Sequence, residues 1–136
     1  MRSINVSAER DYHVTIGGSW SNDVRALCQE RTRVAVITSK GFSPDISELK
    51  KIDADVHLFE VADGEEGKSI STLTNLWNWL GAAGFTRSDL LVGIGGGAIT
   101  DLTGFAAASW LRGVDWVAVP TSLAGMVDAS VGGKTG

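Results

Sequence analysis

Between Arg33 and Val119 the chain alternates two kinds of hydrophobic pattern. Compact apolar or β-branched runs at 33–38, 55–61, 90–94 and 114–119 predict strands. Between them, Ile70, Leu73, Leu76, Trp77 and Leu80 recur at helical spacing, predicting a helix over 69–83 that Gly81 and Gly84 end. A second helix is predicted from Ile99 to Leu111, and a short one over Pro44–Lys51, entered through Ser43 with proline in its first turn. Upstream, Ile4–Ala8 and Tyr12–Ile16 read as short strands around a polar Glu9-Arg10-Asp11 turn. Gly17-Gly18-Ser19 then leads into a helix with Trp20, Val24, Leu27 and Cys28 on one face. Strands separated by helices define an α/β chain: a Rossmann-like, mostly parallel sheet with helices on both faces and an N-terminal β-hairpin. In such sheets ligands bind beyond the carboxyl ends of the strands.

Composition narrows the partners. The chain has 136 residues, long enough for one domain, and is 43% hydrophobic with a formal net charge of −4. That balance, with no run of like charge, speaks against nucleic acid and against an anionic membrane surface, and favours small-molecule partners. No apolar stretch is long enough to span a bilayer. The single cysteine, Cys28, cannot form an internal disulfide, and the N-terminus lacks the apolar core of a signal peptide, so the expected location is cytoplasmic.

The candidate chemistry gathers after Leu90. Gly93-Ile94-Gly95-Gly96-Gly97-Ala98 satisfies a relaxed GxGxxA pattern, in which missing side chains let backbone N–H groups approach a pyrophosphate at a helix N-terminus. The first glycine falls inside the predicted strand, which departs from the usual spacing of that turn. Asp101 falls in the predicted first helical turn, where it either caps the helix or contacts a cofactor hydroxyl. Gly133-Lys134-Thr135 imitates the end of a P-loop, but Asp128 stands where that motif requires glycine. Lys134 is either a plain solvated lysine or a phosphate contact. His13 and His57 lie far apart with no cysteine or histidine at metal-ligand spacing, so no metal site is legible. Trp77, Trp79, Trp110 and Trp116 read as core and interface residues.

Gly95-Gly96-Gly97-x-x-x-Asp101-Leu102-x-Gly104-Phe105-Ala106-Ala107-Ala108 is followed by Arg112-Gly113, Pro120-Thr121, Val127-Asp128 and Ser130-Val131-Gly132-Gly133-Lys134-Thr135-Gly136. Together with Asp63-Gly64-Glu65-x-x-Lys68-Ser69, this series resembles the amino-terminal domain of the 3-dehydroquinate synthase family from about Val34 onward. The resemblance implies an NAD- and metal-dependent lyase of the shikimate pathway, which feeds aromatic amino acid biosynthesis. It converts 3-deoxy-D-arabino-heptulosonate 7-phosphate to 3-dehydroquinate and phosphate. The implied steps are hydride removal to NAD, phosphate elimination, hydride return, ring opening and aldol closure. The resemblance assigns the cofactor Asp63, Gly64, Glu65 and Lys68, then Gly96, Gly97, Ala98, Ile99, Thr100 and Asp101, then Thr121, Ser122 and Lys134. It assigns substrate chemistry to Asp128, Lys134 and Arg112, the last across the interface of a homodimer.

Two departures bear on that expectation. Where the family usually has an Asp or Asn holding the adenosine ribose, this chain reads Thr38-Ser39-Lys40-Gly41, so that contact is weakened or replaced. The family's metal ligands, for zinc or cobalt, belong to a helical second domain, and no residue here stands in for them. Residues 1–136 are accordingly expected to be the NAD-binding domain of a two-domain enzyme, inactive alone. A related NAD-dependent sugar-phosphate cyclase and a stand-alone nucleotide-binding module are the alternatives.

Overall fold

The computed structural model describes residues 2–7, 11–62 and 69–129, with the backbone alone for 128 and 129. Four parallel strands form the centre: β3 (Arg33–Ser39), β4 (Asp55–Val61), β5 (Leu90–Gly95) and β6 (Asp115–Pro120), in the order β4-β3-β5-β6. A separate antiparallel hairpin, β1 (Arg2–Val6) and β2 (Tyr12–Ile16), precedes them. Its first strand lies two residues upstream of the predicted one, and the turn residues 8–10 fall outside the described residues.

Strand alternation sorts the core into two layers. Ala35, Ile37 and Leu91 face α2 (Ile70–Ala82) and α3 (Gly97–Ser109), burying Leu73, Leu76, Leu80, Ile99, Leu102, Ala106 and Ala107. Val34, Val36, Leu90, Val92 and Ile94 face the other way, against α1 (Trp20–Cys28) and the segment from Ile46 to Ala54. Helices therefore cover both faces, as the alternating pattern predicts. Trp77, Trp79, Trp110 and Trp116 are partly buried against the first layer. Burial pushes the Cys28 thiol up to about 11, partly offset by the Arg31 guanidinium, so it is a core side chain and a poor nucleophile.

Several predicted details are corrected. The helix expected over Pro44–Lys51 is a single 3₁₀ turn, Leu49–Lys51. The Asp45 carboxylate accepts from the Ser47 N–H at 3.0 Å, an Asx turn that competes with helix; those same bonds hold its pKa below the ordinary carboxylate range. On α1 the sheet buries the Val24–Cys28 line, while Leu27, about 100° round from Cys28, is 54% exposed. Ile70 opens α2 at the helix end and is likewise exposed. Gly81 does not end α2. It lies inside the helix, where the Trp110 ring comes within 3.3 Å of the position its Cβ would take; Gly84, at φ +77°, makes the left-handed stop. α2 starts at Ile70, one residue after its predicted start, because Ser69 is its N-cap, with the hydroxyl accepting from the Thr72 N–H at 3.2 Å. α3 runs two residues earlier than predicted at both ends. A 3₁₀ turn, Trp110–Arg112, follows it, with Leu111 and Arg112 at φ +47° and +67°.

Where the strands begin, charge closes the sheet. Asp89, wholly buried, accepts from the Thr86 N–H at 2.7 Å and the Arg33 N–H at 3.0 Å, with the Arg33 guanidinium 3.8 Å away. Beside it, Arg31 bridges the Ser88 carbonyl and the Asp115 carboxylate at 3.1 and 3.0 Å.

Candidate functional site

The opposite edge, where the strands end, is built of backbone and hydroxyl groups. β3 and β5 are neighbours although β4 lies between them in sequence, so the chain leaves them in opposite directions and opens a crevice at their carboxyl ends. The glycine turn after β5 sits at that switch point. Gly96 is the extended N-cap residue of α3, and Gly97 is its first helical residue. The bonds from the Ile99 and Thr100 N–H groups to the Gly96 carbonyl close the first turn at 3.1 Å each. The N–H groups of Gly97 and Ala98 precede any intrahelical acceptor and point out of the helix end, with the positive end of its dipole.

The glycines divide into two jobs that sequence spacing does not separate. Gly93 and Gly95 face α3. A Cβ on Gly93 would collide with the Thr103 hydroxyl and lie 2.8 Å from its Cβ, and one on Gly95 would lie 2.8 Å from Ile99 Cγ1. Their bareness lets helix and strand approach closely. Gly96 lines the crevice instead, with the Ser122 hydroxyl 3.6 Å from where its Cβ would be.

The turn after β6 forms the adjoining wall. The Thr121 N–H donates to the Gly95 carbonyl at 2.8 Å, pinning this turn to the end of β5. The Ser122 hydroxyl accepts from the Gly125 N–H at 3.1 Å and keeps its own proton to donate. Gly125 had no role in the sequence reading. A Cβ there would crowd the Ser122 hydroxyl at 3.1 Å and the Pro120 Cβ at 3.2 Å and touch the Gly97 nitrogen at 3.5 Å, so its absence lets the turn after β6 sit close beside the α3 end. A glycine three residues beyond a hydroxyl that can cap it was the available signal.

The structure thus brings Gly96, Gly97, Ala98, Thr121 and Ser122 together. Ile99 and Thr100 belong to the same turn, but their side chains are buried. Ile99 packs on Gly95, and the Thr100 hydroxyl donates to the Gly97 carbonyl at 3.1 Å. Asp101 is half-buried in the second turn of α3 rather than the first, because the helix starts at Gly97; the capping role is therefore not available to it. The backbone of Asp128 lies in a π-helical turn, Gly125–Ala129, that contacts α3. Arg112 is not at this edge. It follows the far end of the 13-residue α3, roughly 20 Å from Gly96 at about 1.5 Å rise per residue. Asp63, Gly64, Glu65, Lys68 and Lys134 lie outside the described residues. Among the described residues no group of three or more His, Cys, Asp or Glu could hold a metal ion, and no helix is long and apolar enough to cross a membrane.

A parallel sheet with a glycine turn feeding a helix at its switch point defines a Rossmann-like domain of the nucleotide-binding type. The family model "3-dehydroquinate synthase N-terminal" matches residues 58–136, and the chain belongs to that family. It is 49% identical over 130 residues to a 3-dehydroquinate synthase of Thermobifida fusca, covering 92% of this chain and 35% of that protein. To one of Mycobacterium leprae it is 44% identical over 138 residues, covering 98% and 38%. The chain therefore spans little more than a third of the length of these relatives. Among solved structures, a 2-deoxy-scyllo-inosose synthase complexed with carbaglucose-6-phosphate, NAD+ and Co2+ matches at a TM-score of 0.77 with 29% identity, covering 88% of this chain and 35% of that one. A 2-epi-5-epi-valiolone synthase from Streptomyces hygroscopicus, with NAD+ and Zn2+ bound, matches at 0.77 with 26% identity, covering 98% and 39%.

Proposed function

We propose that this chain is the NAD-binding domain of a 3-dehydroquinate synthase, a cytoplasmic homodimeric enzyme that converts 3-deoxy-D-arabino-heptulosonate 7-phosphate to 3-dehydroquinate and phosphate. The observation that carries the reading is the open N-terminus of α3 at the β3–β5 switch point, flanked by the Thr121-Ser122 turn. An anion of pyrophosphate size suits that edge, because backbone N–H groups and the helix dipole converge there with no side chain on Gly96, Gly97 or Gly125 to block approach.

In this reading the Gly97 and Ala98 N–H groups donate to the pyrophosphate, and the hydroxyls of Thr121 and Ser122 donate to the nucleotide. Asp63, Gly64, Glu65 and Lys68 contribute cofactor contacts, with the Glu65 carboxylate suited to ribose hydroxyls, and Asp101 approaches from the second turn of α3. Ile99 and Thr100 act as buried supports for the turn. Bound NAD supplies reversible hydride removal, and the resulting ketone acidifies the adjacent C–H enough for phosphate elimination. Asp128 and Lys134 hold the substrate's hydroxyls and its anionic end. Arg112, far from its own glycine turn, serves the site of a second copy. Zinc or cobalt, with its ligands, belongs to the part of the relatives' length that this chain does not span.

Calorimetric titration with NAD and a phosphate-release assay test this together. The 136-residue chain is expected to bind NAD saturably and to release no steady phosphate from the heptulosonate phosphate with NAD and zinc. Ala98→Asp adds a carboxylate that suits a helix N-terminus but repels an anion, so it should fold and lose at least about tenfold in NAD affinity. NAD binding indifferent to Ala98→Asp would remove the glycine turn from the site, and steady turnover would remove the need for a further domain. The 0.77 matches to two cyclases of other sugar phosphates favour a second reading, a related NAD-dependent cyclase. Assaying alternative sugar phosphates with a chain of the relatives' full length separates the two.

A further inference from the structure

The two outer strands of the sheet are built differently. β4 carries Asp55, His57 and Glu60 along its length, the polar dressing that keeps an open edge soluble. β6 carries no charge beyond Asp115, which Arg31 holds. From Trp116 to Val127 the chain has no charged residue, although 21% of its residues overall are charged. Among the described residues no strand pairs with the outer edge of β6, and Trp116 to Val119 are only partly buried. A continuous apolar run is the pattern of a strand covered on both faces.

The helical turn that follows β6 is inside out. Surface helices bury their apolar stripe, yet here Leu123, Met126 and Val127 are 75, 52 and 68% exposed, and the buried residue is Gly125. Large apolar side chains clustered on one turn form a patch, unlike the scattered single residues that any surface shows. The turn is also tied to the candidate site. The Met126 N–H donates to the Ser122 carbonyl at 3.0 Å and the Gly125 N–H to the Ser122 hydroxyl at 3.1 Å, while the stretch that includes the Asp128 backbone contacts α3.

We infer that the β6 side of the domain, centred on Leu123, Met126 and Val127, is the docking face for the further domain of the longer relatives, and that docking there positions Ser122 and Asp128 for their ligands. The inference rests on the reading of this chain as the cofactor-binding part of a longer enzyme. The matching family model is an N-terminal one that runs to residue 136, and the chain spans little more than a third of its relatives, so their remaining length begins a short stretch beyond this patch. A partner on a short tether meets the patch at a high effective concentration, an advantage that a second copy or an unrelated protein lacks. The patch lies between Ser122 and Asp128 on one turn, so covering it holds both in place without itself touching cofactor or substrate. Leu123, Met126 and Val127 are in that sense positioning residues.

Peroxide oxidation of Met126, followed by peptide mass, tests the face, since Met1 is the only other methionine. In the 136-residue chain Met126 is expected to react as an exposed methionine, and in a chain of the relatives' full length at least about tenfold more slowly. The double variant Leu123→Ser/Val127→Ser tests the positioning. It should leave the urea midpoint of the 136-residue chain unchanged, because neither side chain is buried there. In the full-length chain it should lower kcat/KM for phosphate release by at least about tenfold, with Leu123→Met/Val127→Ile staying within about twofold of wild type. Equal Met126 reactivity in the two chains overturns the docking face. So does protection already present in the 136-residue chain: sedimentation as a dimer then makes a second copy the occupant, and sedimentation as a monomer makes it the chain's own residues. Protection confined to the full-length chain, with kcat/KM unmoved by the serine pair, overturns the positioning. The oxidation readout needs no dinucleotide, so its failure is distinguishable from a failure of NAD binding.

Discussion

The two edges of the central sheet meet water with different chemistry. Where the strands begin, Asp89 is buried under two backbone N–H groups and the Arg33 guanidinium, and Arg31 ties Ser88 to Asp115. Polar groups there satisfy one another, and little is left to offer a ligand. Where the strands end, Gly96, Gly97, Thr121 and Ser122 present backbone and hydroxyl groups with donor capacity to spare. Among the residues described at these two edges, a charged side chain is therefore a poor guide to function. The buried carboxylate of Asp89 is structural, and the described part of the candidate site is largely main chain and hydroxyl.

Three substitutions bear on that contrast. The largest effect is expected at the closed edge. Asp89→Ala strands the Thr86 and Arg33 N–H groups and leaves a guanidinium without its partner, a loss of about 3 kcal/mol in urea denaturation. NAD affinity of the folded fraction should be unaltered; a weaker dinucleotide complex at full folding would show that the two edges are not separate in function. Next comes the layer between them. Gly93→Ala drives a methyl group into Thr103 and should destabilise by about 2 kcal/mol, with Thr103→Ala in the same chain recovering at least about 1 kcal/mol. Strict additivity in that double-mutant cycle would mean the strand–helix contact is not what glycine 93 serves. The smallest is Arg31→Ala, which removes a partly exposed ion pair and should change stability by about 0.5 kcal/mol at low salt and less at high salt. A loss as large as that of Asp89→Ala would mean the rim pair is far less hydrated than its exposure indicates.

Legibility in the sequence followed the range of the interactions. β4, at Asp55–Val61, and the start of α2 rest on local patterning and lie within one residue of where the residues predict them. The expected helix over 44–51 fails because a local rival, the Asp45 side chain on the Ser47 N–H, outweighs a favourable proline position. α3 starts two residues before its pattern predicts because glycine is a weak helix former, and only the geometry of the turn makes Gly97 helical. That shift carried Asp101 from the first turn into the second. At the candidate site, the run of glycines was visible, but their division of labour depends on which face of β5 meets α3, a tertiary fact. The place of Gly125 against Gly97 likewise depends on elements distant in sequence.

The bare face of β5 also constrains how relatives of this domain can diverge. Thickness between strand and helix is set jointly by Gly93 with Thr103 and by Gly95 with Ile99, so enlarging one member is tolerated only when the other shrinks. Drift at these positions should therefore be paired, and a comparison scored column by column would miss it. A methyl group gained at 93 alongside one lost at 103 would be a single evolutionary event recorded at two places in the chain.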